Sequence, residues 1–265
     1  MTDMLHQSFI YETDAGVLGG ILLALMMVFI YLGRRVGLKR VKANSENEVG
    51  ATGTTISAMF GLLAFLLAFT FSMSASRYDT RRKNIVDEAN AIGTAILRAD
   101  LYPDEERTAL RNDFRQYLEA RIHYFEAGRD IVEVERAKGE ADSYGTQLWV
   151  RATKLSQQSD RYVASMQMIP ALNAMFDITT TRLMAELARV PDSIVVMLFV
   201  LSLACAFYLG YSSVGKGRLD WFVAVGFCVL TSVVIYITLD LDRPRRGLIQ
   251  LTTTHQAMLE LRKLF

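Results

Sequence analysis

The residues that could perform acid–base, nucleophilic or metal chemistry are scattered along this sequence. Its three histidines, His6, His123 and His255, lie far apart, and Cys205 and Cys228 lie inside apolar runs. The sequence contains no CxxC, HExxH, GxSxG or P-loop motif. Zinc sites and activated nucleophiles need their partner groups at defined spacings. We therefore predict that the protein is not an enzyme and holds neither a metal ion nor a cofactor.

Charged residues that follow two apolar stretches form a candidate ion-binding or boundary site. They are Arg77, Asp79, Arg81, Arg82, Asp87 and Glu88 in one segment, and Asp240, Asp242, Arg243 and Arg245 in the other. The first segment is either a solvated charge belt, since exposed ion pairs contribute little, or an electrostatic vestibule that concentrates ions. In the second segment the aspartates either pair with the arginines or merely mark the aqueous boundary. Partly desolvated charges at such a boundary cost more when they are left unpaired.

Four uncharged stretches, each 19 to 28 residues long, must position these charges. They cover residues 15–33, 49–76, 193–215 and 221–239. Because about 20 apolar residues at a rise of about 1.5 Å cross a hydrocarbon core of about 30 Å, each stretch predicts a transmembrane helix. The net charge of +1 does not suit a nucleic-acid-binding protein. The sequence therefore excludes an ordinary soluble enzyme and indicates an integral membrane protein, with the lipid bilayer as its first partner.

The charged region between the second and third stretches is predicted to be helical. Apolar residues recur every three or four positions over residues 110–125, which is typical of an amphipathic helix. A shorter helix is expected at about 130–138, followed by a loop that Gly139 and Gly145 bracket. The second span lacks a helix stop at its end, so we expect it to continue as a stalk helix toward Leu97.

These elements predict an all-α integral membrane protein. Four transmembrane helices are expected, with a helical domain inserted between the second and the third. The expected parts are the first transmembrane helix with a basic loop (1–52), the second transmembrane helix (53–76), the helical extramembrane domain (77–191), a transmembrane hairpin (192–240) and a C-terminal tail (241–265).

The second span has one narrow face made of small or weakly polar residues. They recur every three or four positions and therefore share one side of the helix; they are Thr54, Ser57, Gly61, Ala64, Ala68 and Ser72. Bulky residues, Leu63 among them, are expected to face lipid. Small residues let a neighbouring helix come close, and the same face also suits the inner surface of an oligomeric pore. The two roles do not exclude each other.

The distribution of basic residues predicts the orientation in the membrane. The first 14 residues contain no lysine or arginine, whereas five basic residues follow the first span: Arg34, Arg35, Lys39, Arg40 and Lys42. The positive-inside rule places this loop in the cytoplasm and puts the helical domain and both termini outside the plasma (inner) membrane. Basic residues after the second and fourth spans favour the opposite orientation. We give the short loop more weight because long loops cross largely regardless of charge.

Several segments beyond residue 49 resemble the bestrophin-like domain family of membrane proteins of unknown function. In chain order they are LLAFLLAFTF (62–71), RYDTRR (77–82), DEANAIGT (87–94), LRAD (97–100) and DLDRPRRG (240–247). The family name implies a distant likeness to bestrophins, which are pentameric anion channels with an aromatic and aliphatic pore neck. The resemblance thus implies a homo-oligomeric channel for inorganic ions. The alternative is a non-conducting membrane sensor or scaffold that acts through its helical domain.

Overall fold

The computed structural model describes residues 13–43, 49–216, 219–243 and 252–265, and no strand occurs in these ranges. Their helices are α1 (Ala15–Ala43), α2 (Val49–Arg98), α3 (Asp104–Glu126), α4 (Ile131–Ser156), α5 (Tyr162–Leu187), α6 (Asp192–Ser212), α7 (Trp221–Leu241) and α8 (Thr252–Glu260). Single 3₁₀ turns follow at Ala99–Leu101, Ser159–Arg161, Ser213–Lys216 and Leu261–Leu264. The all-α prediction is confirmed for the described ranges, and α2 continues to Arg98, as the missing helix stop predicts.

Four segments are long and apolar enough to cross a membrane. They are Ala15–Arg40, Thr54–Leu101, Ser159–Ser212 and Trp221–Leu241. Each overlaps one of the four predicted spans, in the same order. Asp192 begins α6 directly after Pro191, whose ring cannot continue a preceding helix. The side chain of Asp220 caps α7 by accepting hydrogen bonds from the backbone N–H groups of Phe222 and Val223.

Residues 13–76 and 189–243 lie in one compact unit. Its apolar core contains Leu22, Met26 and Ile30 of α1, which pack with residues of α6 and α7 such as Leu198 and Ile235. The backbones of α1 and α6 touch: a Cβ atom built on Gly33 would lie 2.0 Å from the carbonyl oxygen of Phe207, and one on Gly210 would lie 2.0 Å from that of Ile30. These two glycines are therefore what permits the close crossing of α1 and α6.

The other compact unit contains residues 77–188 and the described C-terminal residues 252–265. Its core is formed by the C-terminal half of α2 with α3, α4 and α5, and is closed by Met258 of α8. Fully buried members include Ile92, Phe114, Leu148 and Leu172. The apolar stripe predicted over residues 110–125 thus packs into the hydrophobic core of this unit.

The predicted loop between Gly139 and Gly145 is wrong, because α4 runs without interruption through both glycines. A glycine costs a helix only about 1 kcal/mol relative to alanine. Burial of Ala141 and Leu148 on the same face offsets that cost. Gly145 has a packing role, since a Cβ atom there would lie 3.1 Å from the ring of Phe176.

Candidate functional site

The helix α2 is the membrane-length helix that its own chain covers least. Only 17% of its apolar window is buried, against 33–39% for the other three segments. Its buried side carries Ile56, Leu63, Thr70 and Ser74. The hydroxyl of Thr70 donates back to the carbonyl oxygen of Leu66 at 2.8 Å, so this polar side chain is satisfied within its own helix. In a membrane, the rest of α2 has to be covered by lipid, by water or by another protein chain.

The small residues predicted to share one face do lie on the uncovered side of α2. We call them the small strip: Thr54, Ser57, Gly61, Ala64, Ala68 and Ser72 are all exposed in the single chain. A Cβ atom on Gly61 would meet no atom within 4 Å. Packing against a helix of the same chain therefore does not occupy this strip.

The bulky side of α2 differs from the sequence prediction at one position. Leu63 was expected to face lipid, but its side chain is only 2% exposed and belongs to the covered side. A second uncovered strip consists of Leu62, Phe65 and Phe69, which we call the aromatic strip. The rings of Phe65 and Phe69 stack with their centroids 6.4 Å apart. With 3.6 residues per turn, the aromatic strip runs alongside the small strip, and both lie opposite the buried side.

Arg81 is a helix-capping residue and does not fit the vestibule interpretation. It is 2% exposed. Its Nε donates to the carbonyl oxygen of Ala185 at 3.0 Å, and its Nη2 donates to that of Ala188 at 2.6 Å. These carbonyls belong to the C-terminal end of α5, where the helix dipole favours a positive charge. Asp79 and Arg82 remain exposed, with 3.9 Å between carboxylate and guanidinium, while Arg77 and Asp87 are half-buried.

Glu88 likewise does not fit the vestibule interpretation, because it lies at the centre of a buried ion-pair network. Its Oε1 accepts from Nε of Arg121 at 2.5 Å, and its Oε2 accepts from Nη1 of Arg182 at 2.6 Å. Arg182 also donates through Nε to Glu186 at 3.1 Å, and the hydroxyl of Tyr124 donates to the same carboxylate at 3.1 Å. The guanidinium of Arg121 lies 4.8 Å from the centre of the Tyr124 ring. The network joins α2, α3 and α5.

The charge state of the network follows from its geometry. Burial alone would lower the pKa of Arg121, but the attraction of Glu88 and the hydrogen bond to it hold that pKa above its ordinary value. The guanidinium is therefore a permanent cation whose charge is matched inside the core. Sequence reasoning missed both arginines. The available signal was position: Arg121 lies four residues after Tyr117 on the apolar face of α3, and Arg182 lies seven after Met175 on that of α5.

The charged segment at the end of α7 is buried in the first unit. Asp240, Asp242 and Arg243 are at most 6% exposed. A carboxylate oxygen of Asp242 accepts a hydrogen bond from the backbone N–H of Val190 at 2.5 Å, and Nη1 of Arg243 donates to the carbonyl oxygen of Thr13 at 2.5 Å. A solvated boundary does not describe these residues. Arg245 lies outside the described residues, so its pairing stays a prediction.

The described side chains contain no candidate metal site. Within residues 13–43, 49–216, 219–243 and 252–265, no group of three histidine, cysteine, aspartate or glutamate residues lies close enough to hold a metal ion. The two cysteines are buried and unpaired. The described residues therefore offer an uncovered membrane helix, a buried charge network and a capped helix end.

Comparison with known proteins agrees with this architecture. Among solved structures, a bacterial bestrophin homologue from Klebsiella pneumoniae matches with a TM-score of 0.66 and 15% identity, and the match covers 92% of this chain and 98% of that chain. A mutant of a bacterial bestrophin homologue from the same organism matches with a TM-score of 0.68 and 14% identity, over 95% of this chain and 99% of that chain. Identities this low show a shared fold alone. The comparison with curated proteins found no match.

The family assignment comes from the sequence itself. The model of the Bestrophin-like domain matches residues 20–256. This range includes the five segments that resemble the family, the small and aromatic strips of α2, and the buried network around Glu88. The chain therefore belongs to the bestrophin-like domain family.

Proposed function

We propose that this protein is a homo-oligomeric ion channel, selective for anions, whose conducting path is bounded by α2 from each copy. The observation that carries the proposal is the exposure of α2, which presents two parallel uncovered strips in the single chain. A ring of copies would cover one strip by contact between subunits and leave the other facing the axis. Family membership adds support, because bestrophins are oligomeric anion channels.

We place the small strip at or near the axis. The hydroxyl groups of Thr54, Ser57 and Ser72 can hydrogen-bond to water, and the small side chains leave room for an ion. The aromatic strip is the second candidate for the axis. Its composition favours this second assignment. Leu62, Phe65 and Phe69 are exposed aliphatic and aromatic residues, and the pore neck of bestrophins is also aliphatic and aromatic.

Chloride flux from liposomes tests the proposal and separates the two strips. The purified protein is expected to release chloride, and Ala68→Phe is expected to reduce the flux by at least about tenfold, because a ring at the small strip narrows the path. Phe65→Ala, the matched change on the aromatic strip, is expected to leave the flux within about twofold.

The reverse pattern would assign the axis to the aromatic strip. An intact oligomer that releases no chloride or other small anion would overturn the channel proposal. The sensor or scaffold alternative would then account for the helical domain. Mass photometry in mild detergent provides the oligomeric state of each variant.

We further propose the division of the chain across the membrane. Residues 77–191 form the extramembrane helical domain, 192–240 the transmembrane hairpin and 241–265 the tail. The basic loop predicted after the first span is wrong over residues 34–43, because α1 continues to Ala43 and includes Arg34, Arg35, Lys39, Arg40 and Lys42. These basic residues at the C-terminal end of α1 support a helical domain outside the inner membrane. The opposite orientation is the second candidate, because the chain belongs to the bestrophin-like domain family and bestrophin termini face the cytoplasm.

Cysteine labelling in intact cells tests the orientation. Ser143→Cys, at an exposed position of α4, is expected to react with a membrane-impermeant maleimide, whereas Ser45→Cys is expected to react only after the cells are lysed. The native cysteines are buried and should give little background. Labelling of Ser45→Cys but not of Ser143→Cys would reverse the proposed orientation.

A further inference from the structure

The helical domain contains a cavity that the proposed channel function does not use. Its volume is about 450 Å³, and it lies among α3, α4 and α5. This volume is within the range of small-molecule sites. Asp142, Thr146 and Asn173 at the cavity are exposed to solvent, so a ligand can enter without an opening of the domain.

Three aromatic side chains line the cavity. They are Tyr117 of α3, Trp149 of α4 and Phe176 of α5. The rings of Trp149 and Phe176 form an edge-to-face pair with centroids 6.3 Å apart. Gly145 lies against this wall, and any side chain there would crowd Phe176. The aromatic faces offer apolar contact area and the negative electrostatic potential that attracts cations.

The charges around the cavity favour a cation over an anion. Arg121 lines the cavity, but its guanidinium is buried and already ion-paired with Glu88. Asp142 is exposed, and its carboxylate makes no ion pair within the part of the chain that the structure describes. Burial raises the pKa of the Tyr117 hydroxyl, so the phenol stays uncharged. The one charge still available to a ligand is therefore negative.

We propose that this cavity binds a small organic cation: an ammonium group on an aromatic or aliphatic body. The body packs against Tyr117, Trp149 and Phe176, and the ammonium group lies between the Trp149 ring and the carboxylate of Asp142. The hydroxyl of Thr146 and the amide of Asn173 are further polar groups at the cavity. A ligand of this class bridges α4 to α3 and α5, and binding therefore stabilises the helical domain. The proposal does not depend on ion conduction.

The experiment uses the full-length protein in mild detergent and three probes of similar size. Phenethylammonium carries the charge that the site favours, 2-phenylethanol is the neutral control for partitioning into the micelle, and phenylacetate is the anionic control. Calorimetric titration is expected to give saturable binding of phenethylammonium in the millimolar range or tighter. The alcohol and the carboxylate should bind at least about tenfold more weakly.

Variants locate the binding site. Asp142→Asn is expected to weaken phenethylammonium binding by about tenfold or more, and Trp149→Leu is expected to weaken it comparably. Glu135→Gln is the matched control, because it removes an exposed carboxylate from the same helix away from the cavity. An unchanged thermal transition of Asp142→Asn without ligand shows that the variant is folded. Equal binding of phenylacetate, unchanged affinity of the folded Asp142→Asn variant, or no saturable binding of phenethylammonium would each overturn the proposal.

Discussion

Replacing Glu88 by glutamine is expected to remove a large part of the stability of the helical domain. The carboxylate is fully buried and receives hydrogen bonds from two arginines. Without it, Arg121 keeps its charge in the core but loses the carboxylate that pairs with it, and Arg182 keeps its pair with Glu186. Breaking a buried ion pair by removing one partner costs about 3–5 kcal/mol, out of a total stability of about 5–15 kcal/mol for a typical domain. Thermal and urea unfolding of the purified protein measure the loss.

Two further variants separate lost charge pairing from a general packing defect. The double variant Glu88→Gln with Arg121→Gln removes one charge of each sign and leaves the Arg182–Glu186 pair intact. It is expected to be more stable than Glu88→Gln alone. A double variant less stable than the single one would contradict the role of charge.

An exposed ion pair provides the control for Glu88. Hydrogen bonds from Arg136 and His123 lower the pKa of Glu133 to about 2. Because Glu133 is partly open to water, solvent screens these charges and limits their contribution to stability. Glu133→Gln is therefore expected to unfold close to the wild type. A lowered carboxylate pKa therefore does not by itself show that the fold depends on the group. The burial of the carboxylate decides how much its loss destabilises the fold.

The membrane helices could be predicted from the sequence because an uncharged apolar stretch of about 20 residues is typical of a transmembrane helix. The extension of α2 to Arg98 could be predicted in the same way, from the lack of any residue that ends a helix. The roles of Arg81 and Glu88 could not. Both follow the second span in a strongly charged segment, and such a segment predicts side chains that are exposed to water. Only the packing of α2 against other elements decides which turns of that segment are buried, and those contacts are distant in sequence.

Small residues in the compact unit of residues 13–76 and 189–243 show the same limit of prediction from sequence. The sequence predicts a small-residue packing face on α2, where six small positions recur at helical spacing. The structure uses Gly33 and Gly37 of α1 with Gly210 of α6 for close backbone contact, and leaves the small strip of α2 uncovered. The four-residue spacing of Gly33 and Gly37 was a visible signal. Arg34 and Arg35 between them obscured it, because the uncharged stretch ends at Gly33.

Substitution of Gly210 is expected to have a large effect on the compact unit of residues 13–76 and 189–243. Gly210→Leu is expected to abolish folded protein, and Gly210→Ala to reduce it strongly. A Cβ atom at this position would lie 2.0 Å from the carbonyl oxygen and 2.8 Å from the carbonyl carbon of Ile30. Overpacking against side chains typically costs about 1–3 kcal/mol because rotamers can adjust. The backbone of α1 has no such freedom, so α1 and α6 would have to separate.

Matched glycines distinguish this crossing from a general intolerance of larger residues in membrane helices. A Cβ atom on Gly61 of α2 or on Gly226 of α7 would meet no atom within 4 Å. Gly226→Ala is therefore expected to keep or slightly raise the yield, since alanine favours a helix by about 1 kcal/mol over glycine. Fluorescence-detected size-exclusion chromatography after mild detergent extraction measures the folded fraction of each variant. Equal recovery of Gly210→Ala and Gly226→Ala would mean that α1 and α6 do not cross closely at Gly210. Loss of both Gly210→Ala and Gly33→Ala to the same degree, with Gly226→Ala retained, would support the crossing in which Gly33 lies against Phe207 and Gly210 lies against Ile30.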